Sequence, residues 1–267
     1  MKKAIKRYLR ARYGWIPLYE VRNKVLIGHT ALGLYRFERA EARRLLATLP
    51  GGAPPRALVA TILLTYRRPD DLVKAVESAL AQTLTDHVVM VIDDGGGLPA
   101  LPEDPRLHAV SLSRNINVLG VSRNIGLRIT DSEYVAFLDD DNTWHANHLE
   151  VALARLRRPG PDGTRPEAVY TAMRRATPDG TLYDVLSVPF DRKLAMNSSF
   201  LDSNPFVARR TPDLWYSRIR RGKHVAPKED WEMVYRFSRR HRVEHVPEVT
   251  VEYTVNPQSY WTSWEMA

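Results

Sequence analysis

The sequence predicts an α/β fold in which a mostly parallel, doubly wound, Rossmann-like sheet is flanked by helices. Three observations carry that expectation. Short apolar runs alternate with segments of helical periodicity after residue 56, the pattern of strands joined by crossover helices. Tyr134 to Leu138 is apolar throughout, as a buried strand requires. Three predicted strands end in polar clusters, Thr65-Tyr66, Asp93-Asp94 and Asp139-Asp140-Asp141. Open α/β sheets bind ligands outside the carboxyl ends of their strands.

Element by element, Met1 to Arg12 reads as a short helix with Ile5, Tyr8 and Leu9 on one face and basic residues elsewhere. Two placements follow: on an anionic membrane surface or acidic partner, or packed by its apolar stripe on the main domain. Ala40 to Leu49 is a second helix, and Pro50-Gly51-Gly52-Ala53-Pro54-Pro55 is a linker. Leu58 to Thr65 is the first strand. Asp70 to Gln82 is a helix with Leu72, Val73, Val76 and Leu80 at helical spacing. Val88 to Ile92 and His108 to Leu112 are strands, Val118 to Ile129 a helix, and Tyr134 to Leu138 the strand before the acids. His148 to Arg157 is helical. Val169 to Met173 and Leu182 to Ser187 flank the turn signal Asp179-Gly180. A last helix, Glu229 to Arg240, precedes a strand over Val249 to Tyr253. The expected organisation is a basic extension over 1–50, one domain over 56–255 and an aromatic tail over 256–267.

Composition narrows the function. The chain is 267 residues long and lacks cysteine, which excludes disulfides, zinc–thiolate sites and thiol catalysis. The longest apolar runs, such as Ala57 to Leu64, are too short to span a bilayer. No apolar segment follows the basic N-terminus to make a secretory signal, so a cytoplasmic setting is the default. The net charge of +8 is uneven. Residues 1–50 hold twelve Lys and Arg against three Asp and Glu, while the rest of the chain is nearly neutral. Such asymmetry points to an anionic partner of the N-terminal segment.

The acids carry the chemistry. Adjacent carboxylates raise one another's pKa unless a cation sits among them. Mg²⁺ and similar hard ions prefer oxygen ligands and often take one or two carboxylates plus substrate phosphates. Asp139-Asp140-Asp141 therefore suggests a metal–phosphate site, with a solvated acidic turn as the plain alternative. If the strands are parallel neighbours, all three strand-end clusters meet at one edge. There Asp94 is placed to accept a base N–H or a ribose hydroxyl, Tyr66 to stack on a base, and Arg123 to balance the acids or reach phosphate.

Thr65-Tyr66-Arg67-Arg68-Pro69-Asp70, Ser78-Ala79-Leu80-Ala81-Gln82-Thr83 and Val91-Ile92-Asp93-Asp94-Gly95 resemble the opening of the family-2 glycosyltransferases of GT-A fold. Asn117 to Leu127, the triple acid and Glu229-Asp230-Trp231-Glu232 continue the resemblance over about residues 57–255. It implies inverting transfer of a sugar from a nucleoside diphosphate to an acceptor hydroxyl. It further implies that Asp94 binds the base beside Thr65 and Tyr66, with Asp139 and Asp140 near the ribose and sugar. Asp141 would hold Mn²⁺ or Mg²⁺, and Asp230 would be the general base. A UDP-sugar is the family-level donor, and the acceptor is a glycan, a lipid-linked sugar or a protein. Leu64 and Arg67 depart from residues common in relatives, and the Gln-x-x-Arg-Trp motif of processive synthases is absent. Transfer of one or a few sugars is therefore expected.

Phe200 to Arg210 resembles the segment lining the acceptor side, which makes Asp202 and Asn204 candidate hydroxyl partners. Trp231 is a candidate sugar-stacking wall, or a core residue given its helical spacing with Val234 and Tyr235. The Tyr260-Trp261-Thr262-Ser263-Trp264 tail is a candidate cover, and His224 and His245 are candidate extra metal ligands. Two other readings stand. A nucleotidyltransferase making a sugar nucleotide would also use acids and a metal, but Thr65 to Asp70 has no glycine for a phosphate loop. A nucleic-acid-binding protein would use the basic arm, although an acid-lined cleft repels phosphate, so no nucleic acid is expected. Peripheral contact with the inner membrane face through residues 1–24 would suit a lipid-linked acceptor.

Overall fold

The computed structural model describes residues 12–222 and 225–255, together with residues 5, 8 and 9. The first helices with bounds among the described residues are α1 (Trp15–Ile27) and α2 (Thr30–Leu46). A 3-10 turn at Pro50–Gly52 leads into β1 (Arg56–Thr65). Then come α3 (Pro69–Leu80), β2 (His87–Asp93), β3 (Leu107–Ser111), α4 (Leu119–Arg128) and β4 (Asp131–Asp139). The second half holds β5 (Asn142–Trp144), α5 (His148–Arg157), β6 (Ala168–Ala176), β7 (Leu182–Leu186), α6 (Arg192–Ala195), β8 (Phe206–Arg209), α7 (Glu229–Phe237) and β9 (Val243–Thr254).

Among the described residues these strands form one sheet in the order β3-β2-β1-β4-β8-β6-β9-β5, with β7 hydrogen-bonded to β6. β1, β2, β3 and β4 are parallel, with crossover helices between β1 and β2 and between β3 and β4 and a long loop between β2 and β3. Beyond β4 the sheet is mixed: β8 runs antiparallel to both β4 and β6, while β6 and β9 are parallel. After β3 the chain returns to the far side of β1 to lay down β4. This places the topological switch point between the ends of β1 and β4.

β1 and β2 are buried on both faces, so each strand feeds two cores. Ile62, Leu64, Met90, Ile92, Val135 and Phe137 pack on one face. Val59, Leu63, Val89, Val91, Ala136 and Leu138 pack on the other. α3 starts with Pro69 at its first turn and carries Asp70 and Asp71 there, both favoured at a helix N-terminus. Its Leu72 and Val76 join the second core, and Val121 and Ile125 of α4 join the first. Gly126 lets α4 lie close on β1: a methyl group at that position would come within 2.6 Å of Ile62 Cγ2.

The helix expected over Met1 to Arg12 lies largely outside the described residues; α1 was not expected, and from Trp15 onward the N-terminal segment is part of the packed body. Its second helix starts earlier than residue 40, because Leu34 as well as Ala42 and Leu45 seals against the α4 side of the sheet. Glu38 is fully buried and held by Arg128 at 2.8 Å, Arg218 at 2.7 Å and the Asn124 amide at 3.0 Å. Glu41 accepts from the Ser113 backbone at 2.5 Å. The aromatic tail at 256–267 and His224 lie outside the described residues.

Candidate active site

The strand ends meet as the parallel register requires. Thr65 pairs with Asp93 across β1–β2, and Leu64 with Asp139 across β1–β4. A cleft of about 390 Å³ opens at this edge, lined by residues that include Thr65, Tyr66, Asp94, Asp139, Asp140 and Asp141. Six of the residues expected around the donor therefore share one wall.

Each acid has a distinct task. Asp93 caps the turn after β2, accepting from the Gly96 and Gly97 backbone at 2.8 and 2.9 Å. Asp94 accepts from the backbone of Ile116 at 3.0 Å and Asn117 at 2.9 Å, and from the Asn115 amide at 3.1 Å. It thereby orders the loop before α4. Burial raises its pKa against those hydrogen bonds. Asp140 accepts from the Tyr66 backbone at 3.3 Å, and its pKa is pushed up to about 6, chiefly by burial. The Asp141 pKa is raised by burial and by the Asp139 charge. The guanidinium of Arg68 lies 2.5 Å from Asp141 and 3.4 Å from Asp140.

Arg123 balances acids rather than facing the cleft. It is 3% exposed, 2.7 Å from Asp139 and 3.8 Å from Glu229, with its guanidinium 5.0 Å from the Tyr216 ring centre. Of its two expected roles, balancing the acids is the one this geometry fits, because a buried guanidinium needs carboxylates at hand.

Asp230, at the start of α7, adjoins the cleft without lining it. Its Oδ1 accepts the Trp231 backbone N–H at 2.7 Å. Burial raises its pKa, and the charges of Asp202 and Glu229 raise it further, while Arg123 opposes them. Asp202 is raised likewise, by burial and then by Asp139. Tyr253 joins the two regions: it lines the cleft and feels Asp139, Asp141, Asp202 and Asp230.

Three acceptor-side candidates do not line the cleft, and Trp231 takes the core alternative. Asn204 is fully buried, and its side chain is consumed by Asp139 and Asp202: it accepts the Asp139 N–H at 2.8 Å and donates to both carboxylates. Asp202, 7% exposed, accepts the Asn204 backbone N–H at 2.8 Å. These two residues build the acidic cluster from behind, since buried polar groups take partners from within. Trp231 is 6% exposed, sits in the core and donates its indole N–H to the Ala195 carbonyl. His245 also stands apart, beside Ser187 at 3.2 Å.

Sequence reasoning missed the roles of Arg68, Asn115, Asn117, Glu229 and Tyr253. Arg68 and Asn117 stand inside recognisable motifs, and Glu229 directly precedes Asp230. Tyr253 reaches the cleft only because β5 pairs with β9, setting it opposite Asn142.

For a divalent cation, no group of three His, Cys, Asp or Glu converges among the described residues. The chain offers instead a carboxylate pair, Asp140 buried and Asp141 half-buried, with raised pKa values and a resident guanidinium as counter-charge. That donor set fits an ion completed by substrate phosphates.

Residues 61–185, which run from within β1 into β7, match the model of glycosyl transferase family 2. The chain carries a family-2 glycosyltransferase domain. The domain is similar to the succinoglycan biosynthesis protein ExoO of Rhizobium meliloti (strain 1021), 34% identical over 107 residues, 38% of this chain and 30% of that protein. It is also similar to the poly(ribitol-phosphate) beta-N-acetylglucosaminyltransferase TarP of Staphylococcus aureus (strain N315), 33% identical over 100 residues, 34% of this chain and 31% of TarP. The chain thus spans about a third of the length of these curated relatives. Among solved structures, S. aureus TarS 1-349 in complex with UDP-GlcNAc shares the glycosyltransferase fold. Its TM-score is 0.56 at 15% identity, over 78% of this chain and 61% of that 1-349 chain. No helix among the described residues is long and apolar enough to cross a membrane.

Proposed function

We propose that this chain is a metal-dependent, inverting glycosyltransferase that moves a sugar from a nucleoside diphosphate donor to an acceptor hydroxyl. The observation that carries the reading is the single cleft at the switch point. Thr65, Tyr66, Asp94 and Asp139 to Asp141 line it, and the Asp230–Asp202 pair adjoins it. The UDP-GlcNAc complex of TarS supports a UDP-sugar as the donor class. The named roles of ExoO and TarP favour a glycan acceptor, free or lipid-linked, over a protein.

In this reading Tyr66, 39% exposed at the cleft wall, stacks on the base, with Thr65 and Asp94 beside it. Asp139 and Asp140 face the ribose and sugar, and Asp141 holds Mn²⁺ or Mg²⁺. When bound, that ion neutralises charge growing on the departing diphosphate. Arg123 and Asn204 keep Asp139 in place. Asp230, its pKa raised by burial, takes the acceptor's proton as attack proceeds.

The test is a panel of nucleotide sugars with Mn²⁺ or Mg²⁺, scored for nucleoside diphosphate release and for the product's anomeric configuration. Asp230→Asn should lower turnover ~10²–10⁴-fold while leaving donor affinity unchanged. Full turnover in that variant, or retention of configuration, would overturn the assignment. Pyrophosphate released from a nucleoside triphosphate would instead identify a nucleotidyltransferase.

A further inference from the structure

From Val21 to Leu26, α1 is built inside out for a helix surrounded only by water on its outer side. α1 turns its polar edge inward: Arg221 meets Glu20 at 2.6 Å, and the Asn23 amide donates to the Ala226 carbonyl at 3.1 Å. Ile16 reaches the core, but the large apolar side chains from Val21 to Leu26 are left outside. Val21 is 64% exposed, Val25 76% and Leu26 63%, and Leu32 at the start of α2 is 58% exposed. A helix resting on a globular body ordinarily does the reverse. Large apolar side chains grouped in this way mark an interaction surface.

The charges are sorted to match. Residues 1–50 contain three acids, Glu20, Glu38 and Glu41, and all three are buried at 8%, 0% and 5% exposure. Their partners are Arg221, then Arg128 and Arg218, then Arg44 and Ser113. No acid of the segment reaches its outer surface, while Arg22 and Lys24 are exposed among the apolar residues of α1. An outward face that is apolar and basic, with its acids withdrawn, complements a surface that is negative outside and apolar just beneath.

We propose that this outer face of α1 and the start of α2 docks on the anionic surface of a phospholipid bilayer. Val21, Val25, Leu26 and Leu32 enter the boundary between headgroups and acyl chains, and Arg22 and Lys24 meet lipid phosphates. An acidic polysaccharide would satisfy the charges but leave the apolar side chains in water, whereas an anionic bilayer takes up both. The inference is independent of the sugar-transfer reading, because docking requires neither donor nor metal.

The test is co-sedimentation of the full chain, without nucleotide, on vesicles of phosphatidylcholine alone or mixed with phosphatidylglycerol. Binding to the mixed vesicles should exceed binding to phosphatidylcholine by ~10-fold at low salt. Combined Val21→Ser, Val25→Ser and Leu26→Ser should weaken it a further ~10-fold, with the melting temperature unchanged because these side chains are already exposed. Combined Arg22→Glu and Lys24→Glu should abolish the preference for phosphatidylglycerol. Failure to sediment with the mixed vesicles would overturn the proposal, as would vesicle affinity that survives the serine substitutions. Salt-sensitive retention on heparin matching the vesicle affinity, and indifferent to those substitutions, would assign the face to an acidic polymer and equally overturn it.

Discussion

Arg68 already occupies the negative edge of the cleft, with its guanidinium 2.5 Å from the carboxylate proposed to hold the metal. A divalent ion arriving without nucleotide must therefore displace a cation. The Arg68 side chain is 40% exposed, so the pair is worth little more than a surface ion pair, ~1 kcal/mol. Arg68→Gln should tighten Mn²⁺ binding about fivefold in calorimetry without nucleotide, by the same ~1 kcal/mol. Unchanged affinity would show that the guanidinium does not compete. At this scale the strand-end acids were legible, because like charges packed at the end of an apolar run demand a counter-charge. The corrections fall where a side chain's direction depends on distant partners. Asn204 and Trp231 sit in motifs whose spacing allowed a cleft position, but the turn beside β8 aims one at Asp139 and α7 packs the other on the Ala195 carbonyl.

Among the elements, α2 depends most on a single buried charge. Glu38 has no exposure and joins α2 to α4 and to the segment at Arg218. Removing one member of a buried ion network leaves the others uncompensated. Glu38→Ala should accordingly lower unfolding free energy by about 3 kcal/mol, measured by denaturant titration. A loss within the range of an ordinary surface substitution, about 0.5 kcal/mol, would show that Arg128 and Arg218 are satisfied by water instead. The alternation of β1 through β4 with their helices was readable because each run has the length and periodicity of its element. α1 was not, since Glu20 and Asn23 face inward with Ile16 while Arg22 and Lys24 share the outer side with Val21, Val25 and Leu26, which leaves no apolar stripe to read. β5 and β8 are three and four residues long, too short for a periodicity, and exist through long-range pairing alone.

For the whole molecule, the acidic cluster sets a pH dependence. Folding raises the pKa of Asp140 to about 6 and raises Asp202 and Asp230 as well, chiefly through burial. The folded state therefore binds these protons more tightly than the unfolded chain. The associated stability is fully present below the ordinary carboxylate range and is lost as pH rises through the folded values. The metal-free melting temperature should fall from weakly acid to neutral pH, and the rise produced by Mn²⁺ should grow over the same interval in thermal scans. A metal effect independent of pH would place the ion away from these carboxylates. Stability is thus traded for a charged cleft, and the scaffold must hold that charge still. The near-contact of Gly126 with Ile62 shows how. One turn earlier on the same helix stands Arg123, gripping Asp139. The seating depth of a helix on a strand, set by one absent side chain, thus calibrates the reach of a guanidinium. Bulk at that spot would jack the helix outward and register first as lost chemistry, before the chain came apart.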